Sequence, residues 1–391
     1  MRLTLAIASA LVLIGPLLMT ARALGGAGAR VSVTRYHAMP NDDEDDLRAI
    51  QRAIDASKPG DTVAFPAGVY DCSGTIFLRS GRSYRAEGHV VLRFNELPAD
   101  TYGVALMANC ADVTFSGFHL VGGGIRLSDG ERYRDVRIVD NHITQTAQTP
   151  GVYVSIPTDG LVVERNRFHD YPQYGVIAFH LNRATIARNV FHNIEQGAHV
   201  LAPSEACNFS FNHGTKLTRM GLEVQRLGEA IAKDMVVEGN VFHDWKLPFR
   251  DSFGLSIVAD RSVNTRVINN YVRANFTGPW NEETKTDGQG ERFGYGIEAG
   301  FASGVVEGNV VGGPWANHVV VSHKDTPVRN NKLYGKPVWK KHIAGEPGPE
   351  GSGTAVAEDN LIETDMKKMP PPPDVEDVVT KLAGAGAGEK D

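Results

Sequence analysis

The sequence predicts an all-β solenoid, in which short strands coil around a shared core. Three observations predict it. A short apolar or β-branched run ending in Asn recurs along the chain, the recurrences are 22 to 39 residues apart, and apolar and polar residues alternate within each copy as they do in strands. Each repeat is too short to bury a face by itself, so its neighbours must stack on it. The recurring residues are Asn141, Asn166, Asn189, Asn212, Asn240, Asn270, Asn309, Asn331 and Asn360.

Asn at one recurring corner suggests a turn whose backbone angles Asn tolerates. Its side-chain amide both donates and accepts hydrogen bonds, so we expect it to bond to the next coil.

A short amphipathic helix is predicted before the first coil. Residues 41–46 are acid-rich, which favours a helix N-terminus, and Leu47, Ile50 and Ile54 fall on one face. Such a helix covers the open end of the first coil, which is otherwise an exposed sheet edge. The acidic run can also be interpreted as a calcium site, but helix capping already explains it.

Residues 41–55, followed by 60–70, resemble the N-terminal capping helix and first strand of the right-handed parallel β-helix proteins of the pectate lyase superfamily. This family includes polysaccharide lyases, polygalacturonases and phage tailspikes. The resemblance covers residues 31–365 and implies a single-stranded right-handed parallel β-helix.

Outside that domain, residues 1–23 are typical of a signal peptide, with Arg2, an apolar stretch and a small-residue cleavage pattern; a retained membrane anchor is the alternative. Residues 366–391 are rich in Pro, Gly and Ala and predict a disordered tail. We therefore expect a secreted or periplasmic protein without a membrane partner after cleavage. The net charge of −6 argues against a nucleic-acid partner, and the oligomeric state is left open.

The three cysteines, Cys72, Cys110 and Cys207, lack metal-ligand spacing. Cys72 and Cys110 lie in early coils, and one interpretation is that they form a disulfide after export. We favour the interpretation that all three are small buried hydrophobic residues.

A second short sequence motif, which begins with Gly, also recurs along the chain and indicates where a candidate site lies. Aligning its seven copies on Gly points the next residue inward and the one after it outward. The outward column then contains Arg126, Tyr153, Ile177, His199, Glu223, Ser256 and Glu298. The later coils thus bring a His and two carboxylates onto one face.

The longest insertions lie beside the same coils, between Asn240 and Gly254 and between Asn270 and Gly296. In a solenoid, long insertions on one side usually mark the binding face. Their aromatic and Arg side chains suit a cleft wall for a sugar chain. The substrate-binding candidates, on the coils and in these insertions, are Tyr153, Gln225, Arg250, Trp280, Tyr295 and His323.

The catalytic candidates are Glu223, Glu298 and His199. At about 4.8 Å per coil, backbones two coils apart lie roughly 10 Å apart, and side chains leaning together reach the separation of about 6.5–9.5 Å used by inverting glycosidases. This predicts hydrolysis of a polysaccharide with two Glu as acid and base and His199 as a tuning or binding residue. No metal or other cofactor is expected for this chemistry. The alternative is that both Glu are ordinary solvent-facing residues.

Two other functions stay open. A polysaccharide lyase or uronan C5-epimerase needs a neutralised carboxylate and a basic residue, for which Lys216, Arg219, Arg250 and Arg261 are available, with Ca²⁺ as a cofactor that a lyase can use. A non-catalytic adhesin or carbohydrate-binding solenoid predicts no converging acid pair. The trio His169, His192 and His243 follows the Asn corner in three coils, which we interpret as stacked structural turns.

Overall fold

The computed structural model describes residues 28–95, 97–144, 146, 148–245, 254–257, 262–274, 294–300, 302–323, 325–337, 341–345 and 356–374. Within these residues the chain forms a solenoid of parallel coils, as the sequence predicts, because every strand pairs with the equivalent strand of the neighbouring coils. Its hydrophobic core runs along the axis and is built from the inward-pointing residue of each strand.

One face of the solenoid, which we call the site sheet, has eleven strands in the described part of the chain. They are Ile76–Leu78, Val104–Leu106, Ile125–Leu127, Val152–Val154, Tyr174–Phe179, Gln196–Leu201, Leu222–Gln225, Leu255–Ile257, Ile297–Ala299, Val319–Val321 and Ile343–Ala344.

The other strands join one continuous sheet that wraps around two further faces. Near the N-terminus, the short strand Arg30–Ser32 is followed by three long strands that cover both faces, Thr62–Cys72, Ser83–Phe94 and Ala111–Val121, and then by Tyr133–Val139, which covers only the face before Asn141. Next come the pre-Asn strands, Val162–Glu164, Thr185–Ala187, Asn208–Ser210, Val236–Glu238, Thr265–Ile268, Gly304–Glu307, Pro327–Arg329 and Val356–Glu358. Two-residue strands precede four of them, at Thr158–Asp159, Leu181–Asn182, Ser204–Glu205 and Ala232–Lys233.

The post-Asn strands follow the Asn corner and complete each coil before the next strand of the site sheet begins. They are His142–Thr144, Arg167–His169, Val190–His192, His213–Thr215, Val241–His243, Tyr271–Arg273, Val310–Gly312, Lys332–Tyr334 and Leu361–Glu363.

The nine predicted Asn residues form a ladder along the corner between these two series. Asn189 shows the pattern. Its Oδ1 accepts from the backbone N of Asn166 at 3.0 Å, and its Nδ2 donates to Asn212 Oδ1 at 3.0 Å and to the Val163 carbonyl at 2.9 Å. The predicted bond from the amide to the next coil is confirmed for the first eight of these Asn residues. The left-handed residue of this corner is the one before Asn, as at Arg165 (φ 55°) and Arg188 (φ 56°), and not the ladder Asn itself.

The N-terminal capping helix is Leu47–Ala56, preceded by the 3-10 turn Val33–Tyr36. Ile50 and Ile54 are buried against the first coil, as predicted. The acidic run supports the helix start, because Asp45 Oδ1 accepts from the Leu47 backbone N at 3.2 Å and Asp45 Oδ2 accepts from Ser73 Oγ at 2.8 Å.

The three cysteines are buried free thiols. Burial raises the pKa of the Cys207 thiol to about 11, so the thiol stays protonated at neutral pH. These residues behave as the small buried hydrophobes that the sequence suggests.

The beginning of the expected disordered tail packs against the solenoid. Met366–Lys368 forms a 3-10 turn, Met369 is buried against Tyr334, and the Tyr271 hydroxyl donates to the Pro370 carbonyl at 2.9 Å. The predicted signal segment and the rest of the tail lie outside the described residues. Among the helices that the structure describes, none is long and apolar enough to cross a bilayer.

Candidate functional site

The predicted outward column exists on the site sheet. Strand register pairs Arg126 with Tyr153, Tyr153 with Ile177, Ile177 with His199 and His199 with Glu223. It continues from Glu223 through Ser256 to Glu298 and then to Val320. Because parallel coils keep equivalent residues in line, the repeat offset in the sequence translates directly into a row on the surface.

Glu223 is the centre of this row and is only 3% exposed. Its Oε2 accepts a hydrogen bond from Gln196 Nε2 at 3.2 Å and lies 3.5 Å from His199 Nε2 and 3.7 Å from Arg219 Nη2. A buried carboxylate needs donors and a counter-charge, and these three side chains supply both.

His199 presents one ring nitrogen to its neighbours and leaves the other without a partner. Its Nε2 lies 3.0 Å from Gln225 Oε1 as well as near Glu223, both of which are acceptors, so Nε2 carries the proton. Nδ1 is then a bare lone pair, and it is buried with no hydrogen-bond partner among the described atoms. Burial lowers the pKa of His199 below its ordinary value of 6.5, only partly opposed by Glu223, so the ring is neutral at neutral pH.

Tyr174 and Arg219 lie beside His199 and Glu223 and complete this part of the site. Arg219 Nη1 donates to the Tyr174 hydroxyl at 2.8 Å, and the Tyr174 ring lies 5.7 Å from the His199 ring. Burial raises the pKa of Tyr174 above 10, and the Arg219 charge acts in the opposite direction. The phenol therefore stays protonated near neutral pH and can donate a proton or a hydrogen bond.

Glu298 lies two rungs beyond Glu223 in the same column and is half-buried. At about 4.8 Å per rung, this register corresponds to roughly 10 Å between the two backbones.

Upstream of His199, Tyr153 belongs to an aromatic platform. Its ring stacks on Tyr102 with centroids 5.8 Å apart, and Phe179 meets it edge-on at 6.2 Å. The Arg126 guanidinium lies 5.8 Å from the centre of the Tyr102 ring, a cation–π contact. The platform follows the column for several rungs before Glu223.

The other substrate-binding candidates are placed differently. Gln225 is exposed beside His199. Tyr295 packs with Ala316 and Val320 in a small apolar cluster, and its carbonyl accepts from the Gly254 backbone N. His323 is half-buried beyond the strand that follows Glu298. Arg250 and Trp280 lie outside the described residues.

Aligning the repeats on Gly does not identify Tyr174 or Gln196 as site residues. It leaves Arg219 only among the basic residues available to a lyase. Tyr174 and Gln196 share a signal that the alignment on Gly ignores: each immediately precedes the Gly of its phrase, and the two are paired in register. Arg219 comes from a turn, and its reach toward Glu223 is not encoded in any repeat offset.

Within the described ranges, no group of three or more His, Cys, Asp or Glu side chains converges to hold a metal ion.

A family model described as a right handed beta helix region matches residues 69–213 and 102–333 of this chain. A search of curated proteins finds no significant relative by sequence.

Several solved structures share the fold. A surface adhesin of Streptococcus pneumoniae, PfbA, is 14% identical with a TM-score of 0.59, covering 83% of this chain and 93% of its own. The A-module of a mannuronan C-5 epimerase from Azotobacter vinelandii is 16% identical, with a TM-score of 0.51 and coverage of 86% and 94%. A family 28 exopolygalacturonase of Yersinia enterocolitica is 12% identical, with a TM-score of 0.52 and coverage of 85% and 78%. At these identities the likeness shows the fold alone.

Proposed function

Because the chain belongs to the right-handed β-helix family, whose fold carries enzymes and adhesins alike, we propose its function from the site: it is an enzyme that cleaves a polysaccharide by glycoside hydrolysis. The observation that carries the proposal is the column itself, in which Glu223 and Glu298 face the same side two rungs apart. Support for a carbohydrate substrate comes from the aromatic platform that continues this row, since rings stack on the apolar faces of sugars.

In this mechanism Glu223 activates water and Glu298 protonates the leaving oxygen. The assignment rests on surroundings: Arg219 places a positive charge beside Glu223, whereas Glu298 is the more exposed of the two and can approach the glycosidic oxygen. A separation of about 6.5–9.5 Å between the carboxyl groups leaves room for the water and predicts inversion at the anomeric carbon. His199 and Gln225 bind sugar hydroxyls beside Glu223.

The test is a panel of neutral and uronic-acid polysaccharides incubated with the chain from residue 24, with new reducing ends as the readout. We expect Glu223→Gln and Glu298→Gln each to lower kcat by about 100-fold or more, since each removes an acid–base group. Glu205→Gln is the matched control, because Glu205 is exposed on another face and should leave kcat unchanged. Full activity in either site variant contradicts the mechanism.

A second candidate is elimination or C5-epimerisation on a uronic acid. The specific observation in its favour is the unpartnered Nδ1 of His199, a buried lone pair beside Arg219 and the protonated Tyr174. In this reaction Arg219 neutralises the sugar carboxylate, His199 Nδ1 accepts the C5 proton, and Tyr174 supplies a proton to the leaving oxygen or to the opposite face of C5.

The two reactions are separated by their products. Elimination leaves an unsaturated sugar with ultraviolet absorbance, whereas hydrolysis leaves reducing ends without it, and epimerisation leaves neither but changes the proton spectrum of the polymer. Tyr174→Phe abolishes elimination or epimerisation and lowers hydrolysis little. Binding without any product across the panel favours a carbohydrate-binding solenoid.

A further inference from the structure

The outer surface of the post-Asn strands, on a different face from the site sheet, carries a row of imidazoles that the proposed function does not use. We call it the histidine stripe, and it consists of His119, His142, His169, His192, His213 and His243. The rings of His119 and His142 stack with centroids 4.1 Å apart, and those of His142 and His169 lie 4.4 Å apart.

Two pairs within the stripe place Nε2 against Nε2, but only in the pair of His213 and His243 are these atoms far enough apart to ligate one ion. His213 Nε2 lies 3.1 Å from His243 Nε2, and the opposite nitrogen of His243, Nδ1, lies 2.8 Å from Asp244 Oδ2. In the other pair, His142 Nε2 meets His169 Nε2 directly, and His169 Nδ1 lies 2.6 Å from Asp170 Oδ2. In each pair the second His comes from the next coil and is followed by the Asp that holds it.

We propose that His213 and His243 bind one divalent transition-metal ion of the zinc type through their two Nε2 atoms, with solvent completing the coordination. Metal–nitrogen bonds of about 2.0–2.1 Å at angles between 90° and tetrahedral place two ligand nitrogens about 2.9–3.4 Å apart. The 3.1 Å between His213 and His243 falls within this range. A carboxylate on the far nitrogen is the usual partner that fixes the tautomer and orientation of a metal-binding His.

The protonation states suit a metal ligand. Since His243 Nδ1 donates to Asp244, its Nε2 is already a lone pair, and the proton between the two rings belongs to His213 Nε2. Binding of the ion shifts that proton to His213 Nδ1 and leaves both Nε2 atoms free to coordinate.

The alternative is that stacking and hydrogen bonding between rings are the whole role of the stripe. The pair of His213 and His243 supplies only two protein ligands, and no group of three converges among the described residues, so the affinity is expected to be moderate rather than that of a structural zinc site. Ring packing alone predicts no metal binding that depends on these residues.

The test is calorimetric titration of the chelator-stripped chain with Zn²⁺ at neutral pH. We expect one ion per chain, no binding in His243→Gln, and unchanged binding in His169→Gln, which removes an imidazole from the other pair. Asp244→Asn keeps both imidazoles of its pair and a residue type that tolerates the left-handed backbone at φ 52°, so it should fold normally and weaken the site by about 10- to 100-fold.

His37→Asn is the matched control, because His37 is exposed, distant from the stripe and also left-handed at φ 67°. It should bind as the unmodified chain does. Thermal unfolding and circular dichroism establish that each variant is folded. Absence of Zn²⁺ binding, or unchanged stoichiometry and affinity in folded His243→Gln and Asp244→Asn, overturns the proposal.

Discussion

Replacing Asn189 by Ala should remove one full rung of the amide ladder. The Asn189 side chain is inaccessible to solvent and takes part in four hydrogen bonds: Oδ1 accepts from the Asn166 backbone N at 3.0 Å and from Asn166 Nδ2 at 3.1 Å, and Nδ2 donates to the Val163 carbonyl at 2.9 Å and to Asn212 Oδ1 at 3.0 Å. Alanine leaves four buried groups without these partners.

The expected loss in the free energy of unfolding follows from these contacts. A typical hydrogen bond contributes about 1 kcal/mol net, so four give about 4 kcal/mol, and buried groups left unsatisfied add to this. A loss of that size is a large part of the stability of a typical domain. Asn208→Ala is the control in the next coil: Asn208 is exposed, so we expect a change within about 0.5 kcal/mol.

The assay is urea unfolding followed by circular dichroism, with the free energy of unfolding and its denaturant slope compared between variants. Asn360→Ala tests the same chemistry at the end of the ladder, where the amide is half-buried and has no further Asn to donate to among the described residues, so a smaller loss is expected. Stability of Asn189→Ala within about 1 kcal/mol of the unmodified protein, at an unchanged slope, refutes the reasoning.

Gly197→Ala should destabilise the protein by about 1–3 kcal/mol in the same unfolding assay, because its Cβ would lie 2.4 Å from the Gly221 carbonyl oxygen and force the backbones of two coils apart. In Gly74→Ala the added methyl meets only a flexible Leu side chain at 3.1 Å, so a loss as large there as at Gly197 contradicts this explanation. Acid should weaken the fold through His318, which is fully buried beside His342 and whose pKa burial lowers to about 3. Because the unfolded chain binds a proton near pH 6.5 and the folded one does not, stability falls with pH below that value, by about 2 kcal/mol from this residue between pH 7 and pH 5. Folded His318→Gln should show a correspondingly smaller loss over that interval, and an equal loss rules out this origin of the acid sensitivity.

Repeat offsets explain why so much of this fold can be predicted from the sequence. In a parallel solenoid a residue at a given offset from Asn or Gly meets its equivalent in the next coil, so nine Asn residues and the row from Arg126 to Glu298 are placed by counting alone. Handedness came from the resemblance to a known family and is confirmed by the family match.

Features that depend on the path of the chain between strands cannot be predicted from repeat offsets. The left-handed residues before the ladder include Arg165, Arg188 and Phe211, side chains that give no turn signal in the sequence. Likewise, Tyr174 and Arg219 join Glu223 and His199 because a turn and two strand starts happen to converge, which is a property of side-chain reach in three dimensions.

The constancy of the Asn ladder has a consequence for how such a molecule can change. Neighbouring ladder residues are separated by as few as 22 residues, between Asn309 and Asn331, and by as many as 39, between Asn270 and Asn309, yet the amide-to-amide hydrogen bonds all measure 2.9–3.1 Å. The spacing between neighbouring coils at the ladder is therefore set by each pair of amides and does not depend on the length of the preceding loop. Lengthening the chain on one coil leaves its neighbours aligned, so new recognition surface can be added beside the site sheet one loop at a time.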